Sequence, residues 1–147
     1  MYSLSNLQFL GDIHQPLHDE GLLRGGNSIS VNFTNKVVNL HHVWDTSIPE
    51  HLIGGYSLAF ASAWANNISL AITEGDYQPL AHEWLEGIVL GDPITTALRW
   101  ASEANAFVCT AVLPGGVEAV EGKELSGEYY DEGIKVVQLQ IARAGYR

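Results

Sequence analysis

Hydrophobic positions recur along most of this chain at helical rather than strand spacing. Leu4, Leu7 and Leu10 fall near one face of the segment from Leu4 to Ile13, which predicts a short helix that Pro16 prevents from continuing. Gly25-Gly26-Asn27 marks a turn or loop. The period then changes. Ile29, Val31 and Phe33 alternate through Ser28 to Phe33, the pattern of a strand, with Asn35-Lys36 as a turn and Val37-Val38 as the returning strand. Asn39 is placed to cap a helix through Leu40, Val43 and Trp44.

Beyond this point the pattern is helical. Ser57 to Thr73 is Ala-rich, with Leu58, Ala61, Ala65 and Ile68 on one stripe and Gly75 at its end. Leu80 to Leu90 begins with a shorter helix containing Trp84. Asp92-Pro93 sets a capping acid before a proline at the first helical position. The helix they open is predicted to run to about Leu113, with Ile94, Leu98, Ala101, Asn105, Val108 and Val112 along one face, and Pro114-Gly115-Gly116 closes it. A last helix spans Tyr129 to Ala144 with Ile134, Val137 and Ile141 inward. Trp44, Trp64, Trp84 and Trp100 fall on these helices as core or site-lining aromatics. The expected class is mainly α with a small β-hairpin insertion, residues 1–147 forming a single domain.

Composition narrows the function classes. The 147 residues suffice for one core, and no apolar run approaches the ~20 residues of a membrane span, which argues against a membrane protein. Met1 to Phe9 lacks the positive cluster and long apolar stretch of a signal peptide. The net charge of −10 weighs against a generic nucleic-acid binder, which holds phosphates on a basic face. Divalent metals reverse that sum locally, and stacking on unpaired bases needs little basic charge. Cys109, the single cysteine, reads either as a buried free thiol or as a half-cystine without its partner. Asn32-Phe33-Thr34 and Asn67-Ile68-Ser69 are glycosylation sequons at Asn32 and Asn67, compatible with secretion.

The chemistry concentrates in Gly11-Asp12-Ile13-His14-Gln15-Pro16-Leu17-His18 and Asn39-Leu40-His41-His42-Val43-Trp44-Asp45. His41 and Asp45 are four apart, so on a helix both project from one face. Imidazole nitrogen and carboxylate oxygen suit zinc, and His18 supplies a third ligand from the earlier segment. Three protein ligands with one open position make the catalytic type of zinc site. A His/Asp pair at this spacing is by itself more often a surface pair; the whole string carries the weight. His14 and His42 point elsewhere, in supporting or solvated positions, and His51 and His82 are ordinary surface or core histidines.

Phe9-Leu10-Gly11-Asp12, Gln15-Pro16-Leu17-His18, Gly25-Gly26-Asn27 and Asn39-Leu40-His41-x-x-Trp44-Asp45 together resemble the fungal zinc-dependent single-strand-specific nucleases, relatives of the bacterial zinc phospholipases C. The likeness continues through Leu52-Ile53-Gly54-Gly55, Pro93-Ile94-Thr95-Thr96-Ala97, Arg99-Trp100-Ala101-Ser102 and Ala104-Asn105-Ala106 to Leu139-Gln140-Ile141-Ala142. The resemblance implies a secreted helical enzyme with three clustered zinc ions. Its implied substrates are single-stranded DNA and RNA, cut to 5′-phosphate products, and 3′-nucleotides. By position, His18, His41 and Asp45 resemble the ligands of one zinc and Asp12 the carboxylate bridging the other two. Asp45, rather than Glu, resembles the nuclease branch.

Two departures qualify that expectation. The family places a histidine ligand four residues before the bridging aspartate, where this chain has Gln8, a much poorer zinc ligand. The family pattern also begins upstream, with a tryptophan whose amine and carbonyl bind zinc, and Met1 enters it near its middle. Cys109 resembles a family half-cystine whose partner lies in that upstream part. The resemblance therefore implies one complete zinc site and Asp12 alone of the paired site. Two functions follow: a zinc-dependent endonuclease with 3′-nucleotidase activity, or an inactive truncated homologue that keeps one zinc site as a binding or interaction domain.

Overall fold

The computed structural model of the chain describes residues 4–147, with side chains from residue 7 onward, and is mainly α with one small hairpin. Met1 to Ser3 and the Leu4 side chain, which enter the readings of the N-terminal segment, lie outside the described residues. Helix α1 covers Leu4–Asp12. Pro16 opens a 3-10 turn, Pro16–Asp19, where its missing N–H has no bond to make.

Strands β1 (Ser30–Phe33) and β2 (Lys36–Asn39) pair antiparallel, Val31 opposite Val38. The turn is Thr34-Asn35, both left-handed at φ 50° and 62°, so Lys36 begins β2 instead of turning. Two consecutive left-handed residues match the right-handed strand twist of a two-residue hairpin. The free edge of β1 is covered by residues 122–125: Asn32 N–H donates to Lys123 O and Leu125 N–H to Asn32 O, both at 2.8 Å.

Asn39 caps α2 (Leu40–His42), its side chain accepting from His42 N–H at 2.7 Å. The helix does not continue regularly. Val43–Ser47 forms a π turn, with Ile48 N–H bonded to Val43 O, before α3 (Ile48–Ile53). Pro49 cannot donate to the Asp45 carbonyl four residues back, and its ring would collide with it, so the wider turn relieves the clash.

Helix α4 (Leu58–Thr73) starts at Ser57, whose hydroxyl accepts from Phe60 N–H. Its inward face is the buried Ile68 with half-buried Trp64, Ala71 and Ile72; of the predicted stripe only Ile68 is buried, and Leu58, Ala61 and Ala65 are exposed. Helix α5 (Gln78–Ala81) runs into a 3-10 turn, His82–Leu85, holding Trp84. Helix α6 (Pro93–Phe107) is capped by Asp92, which accepts from Thr95 N–H at 3.0 Å, and ends in a second π turn, Val108–Val112. Val108 and Val112 are buried as predicted, but Ile94 and Leu98 are 71% and 63% exposed. Helix α7 (Glu128–Tyr146) buries Gly133, Val137, Gln140 and Ala142, while Ile141 faces solvent. Cys109 is exposed, which overturns the buried-thiol reading.

One core joins Leu17, Ile29, Val31, Leu40, Val43, Trp44, Ile48, Val108 and Val112; a second gathers Ile68, Ala81, Trp84 and Ala142. Each fully buried aliphatic contributes roughly 1.5–3 kcal/mol. Trp44 Nε1 donates to Tyr129 Oη, which donates to Val112 O, both at 2.8 Å, tying the first π turn to α7 and to the second. Gly133 lets α3 approach α7: a Cβ there would stand 3.1 Å from Ile48 Cδ1. No helix among the described residues is long and apolar enough to cross a membrane.

Candidate metal centre

Two segments meet to form the site. The first runs from the end of α1 through the 3-10 turn and carries Asp12, Gln15 and His18; the second is α2 and its π turn, carrying His41 and Asp45. Gln15 joins them. Its side-chain oxygen accepts from Leu17 N–H, capping the 3-10 turn, and its Nε2 donates to Asp45 Oδ1 at 2.8 Å.

Asp45 offers one oxygen to each histidine: Oδ1 lies 3.2 Å from His18 Nε2 and Oδ2 lies 3.1 Å from His41 Nε2. The imidazoles stack at 5.0 Å, 15° from parallel. One donor atom from each of His18, His41 and Asp45 lies within 4.8 Å of the others. Tetrahedral zinc with bonds of about 2.0–2.2 Å sets its ligand atoms roughly 3.3–3.5 Å apart. The two separations, 3.2 and 3.1 Å, are close to that spacing.

The His41 tautomer points the same way. His41 Nδ1–H donates to Gly25 O at 2.7 Å, so Nε2 faces the Asp45 carboxylate with a bare lone pair. Two acceptors at that distance repel unless a proton or a metal ion lies between them. The backbone of Gly25 is set for this contact: its φ is +63°, and a Cβ would stand 2.7 Å from Leu17 O. The hydrogen bond to Asp45 raises the His18 pKa above its ordinary value. Burial opposes ionisation of Asp45, but hydrogen bonds from His18 and Gln15 outweigh it and hold the carboxyl below the usual range.

Asp12 stays outside the trio. Its Oδ1 is 3.6 Å from His18 Nδ1, and its side chain is 48% exposed. Gln8 lies exposed on α1, one turn before Asp12. Asp12, His18 and Asp45 open onto a cleft of about 430 Å³ whose lining also includes Leu7, Leu10, Val137 and Ile141. His14 is not part of the trio and is buried at 2% exposure behind the same cleft, whereas His42 is exposed. Burial pushes the His14 pKa down to about 4. His51 and His82 are surface residues, His51 resting against Tyr130 and Phe33. Asn67 is exposed on α4, and Asn32 lies in β1 with its Nδ2 donating to Gly122 O.

Several residues with a part in the site escape sequence reading. Gln15 and Gly25 were visible only as members of a motif and a turn. Gln140, also visible only within a motif, and Arg147, which no reading singled out, hold His14 from more than a hundred positions away.

The S1/P1 nuclease family model matches residues 3–147. Nuclease S1 of Aspergillus oryzae is 45% identical over 141 residues, 96% of this chain and 49% of the relative. Nuclease P1 of Penicillium citrinum is 48% identical over 141 residues, 96% of this chain and 52% of the relative. Endonuclease 2 of Arabidopsis thaliana is 30% identical over 145 residues, 95% of this chain and 46% of the relative. The chain thus spans about half the length of these curated relatives. With the family model matching nearly every residue, the chain belongs to the S1/P1 nuclease family.

Proposed function

We propose that residues 1–147 are the zinc-binding part of a nuclease domain. The domain as a whole hydrolyses phosphodiester bonds of single-stranded DNA and RNA and removes phosphate from 3′-nucleotides. The observation that carries this reading is the His18–His41–Asp45 trio, with zinc-like separations and both imidazole Nε2 atoms turned to one carboxylate. His18, His41 and Asp45 hold the ion, Gln15 orients Asp45, and Gly25 fixes the His41 tautomer. Zinc bound there supplies Lewis-acid polarisation of a phosphate oxygen and offsets the acidity of the chain. Asp12 offers its exposed carboxylate to the same cleft, as the candidate ligand of a further ion.

The relatives' names support the nuclease class. Secretion, glycans on Asn32 and Asn67, and pairing of Cys109 with a second half-cystine belong to the same proposal, supported by the exposure of Asn67 and Cys109. A second reading, a one-zinc binding module without turnover, is favoured by Gln8 at the place where a histidine would serve Asp12. Among the described residues only one group of three or more metal-type ligands is assembled. The deciding experiment is a cleavage assay on single-stranded RNA with added zinc. The 147-residue chain alone is expected to show negligible turnover, and an active chain silenced by Asp12→Ala would refute the one-zinc description.

A further inference from the structure

The ligand-bearing loop, residues 12–20, is held from behind by α6 and α7. Gln140 Nε2 donates to the His14 carbonyl at 2.8 Å, and Arg143 donates to Gln140 Oε1 at 3.0 Å, so both ends of the buried amide are engaged. The His14 ring is fixed at both nitrogens: Nδ1–H donates to Leu10 O at 2.7 Å, and Nε2 accepts from Arg147 Nη1 at 3.0 Å. Arg147 is itself anchored by Glu103, by the Trp84 carbonyl at 2.9 Å, and by the Trp100 ring 5.3 Å below its guanidinium. Asn105 adds a third peg, donating to Asp19 O at 3.1 Å. His14 lies two residues after Asp12 and four before His18, and both its ring nitrogens are engaged by Leu10 and Arg147 rather than by the metal ligands.

We propose that Gln140 and Arg147 are positioning residues for the metal centre, holding His14 by its carbonyl and its ring and so fixing where Asp12 and His18 point. The assignment rests on the zinc reading above. Gln140 and Arg147 are not among the three ligands, although Gln140 and His14 also line the cleft onto which Asp12, His18 and Asp45 open, so their effect on the ligands passes through the loop. Partners of this kind commonly alter metal affinity by about 10–100-fold when removed.

The test is a cobalt(II) titration of the metal-free full chain, read by visible absorption, at a temperature where every variant is fully folded. Gln140→Glu keeps the size of the side chain and the partnership with Arg143 but replaces the N–H donor facing His14 O with an oxygen. It is expected to weaken cobalt binding about tenfold and to lower the visible band as the coordination loosens. Glu124→Gln, which loosens the hairpin turn away from this loop, is expected to keep wild-type affinity and spectrum. If Gln140→Glu fails to fold, Arg147→Lys serves, since it retains charge for Glu103 and loses the fork that reaches His14; about a threefold loss is expected. Wild-type affinity and spectrum in the folded variant would overturn the proposal, as would an equal loss in Glu124→Gln. If wild type binds no cobalt(II), or His41→Ala binds it as well as wild type does, the zinc reading itself fails and the positioning role falls with it.

Discussion

The imidazole of His41 is tied to the backbone of Gly25, its Nδ1–H donating to the Gly25 carbonyl at 2.7 Å. This bond chooses the tautomer that turns a lone pair on Nε2 toward Asp45. Gly25 sits in the left-handed region with no room for a Cβ. Gly25→Ala is therefore expected to destabilise the chain by about 1–3 kcal/mol and to weaken zinc binding about tenfold. Chemical unfolding and zinc competition against a chromophoric chelator measure the two effects. An alanine variant with unchanged zinc affinity would show that the tautomer is set elsewhere.

In the proposed site protons and zinc compete for the same atoms. His18 has a raised folded pKa, first through its hydrogen bond to Asp45, so in the metal-free chain its contribution to stability is fully present below the unfolded value of 6.5. That contribution is lost as pH rises through the raised folded value. Asp45→Asn is accordingly expected to destabilise the metal-free chain more at pH 5.5 than at pH 8.5, by urea unfolding at both. With zinc bound the reverse trend is expected, because ligation requires neutral imidazoles.

Glu124 sets the opposite pH limb. Hydrogen bonds from Ser126, then from the Asn35 and Thr34 amides, hold its carboxyl down to about 2 from 4.5. A depressed carboxylate stabilises fully above its unfolded value and loses that stabilisation as pH falls through the folded one. Glu124→Gln should therefore flatten the stability profile between pH 4.5 and pH 2 while leaving the metal site intact. An acid limb as steep as wild type's would contradict the role of this carboxylate in the turn.

Much of the fold was legible because its signals are local. Asn39 and Asp92 cap the helices they precede, and alternation at Ile29, Val31 and Phe33 marks β1. The π turns were not legible, since 3.6-residue spacing and its wider variant share most of their pattern; Pro49 was the one available clue to the first. Faces of α4 and α6 were misassigned because composition indicates which residues can be buried, whereas neighbours decide which are. For the site, His18, His41 and Asp45 were readable from spacing and motif. The burial of His14 was not, because it depends on Gln140 and Arg147 from the far end of the chain.

Exposed apolar side chains make a separate prediction. Leu90, before α6, is 94% exposed, and Ile94 and Leu98 on α6 are exposed as well. Apolar patches beyond several hundred Å² promote association. The chain alone is expected to self-associate at micromolar concentration, and the double variant Ile94→Glu, Leu98→Glu to shift it toward monomer with unchanged circular dichroism. Sedimentation velocity reads the outcome; a monomeric wild-type chain would show that this face is not adhesive.

The central claim, one assembled zinc site, is tested most directly by counting metal. After zinc loading and removal of free ion, mass spectrometry under native conditions should find one zinc per wild-type chain and none in His41→Ala. Three zincs per chain, or one zinc retained in His41→Ala, would contradict it.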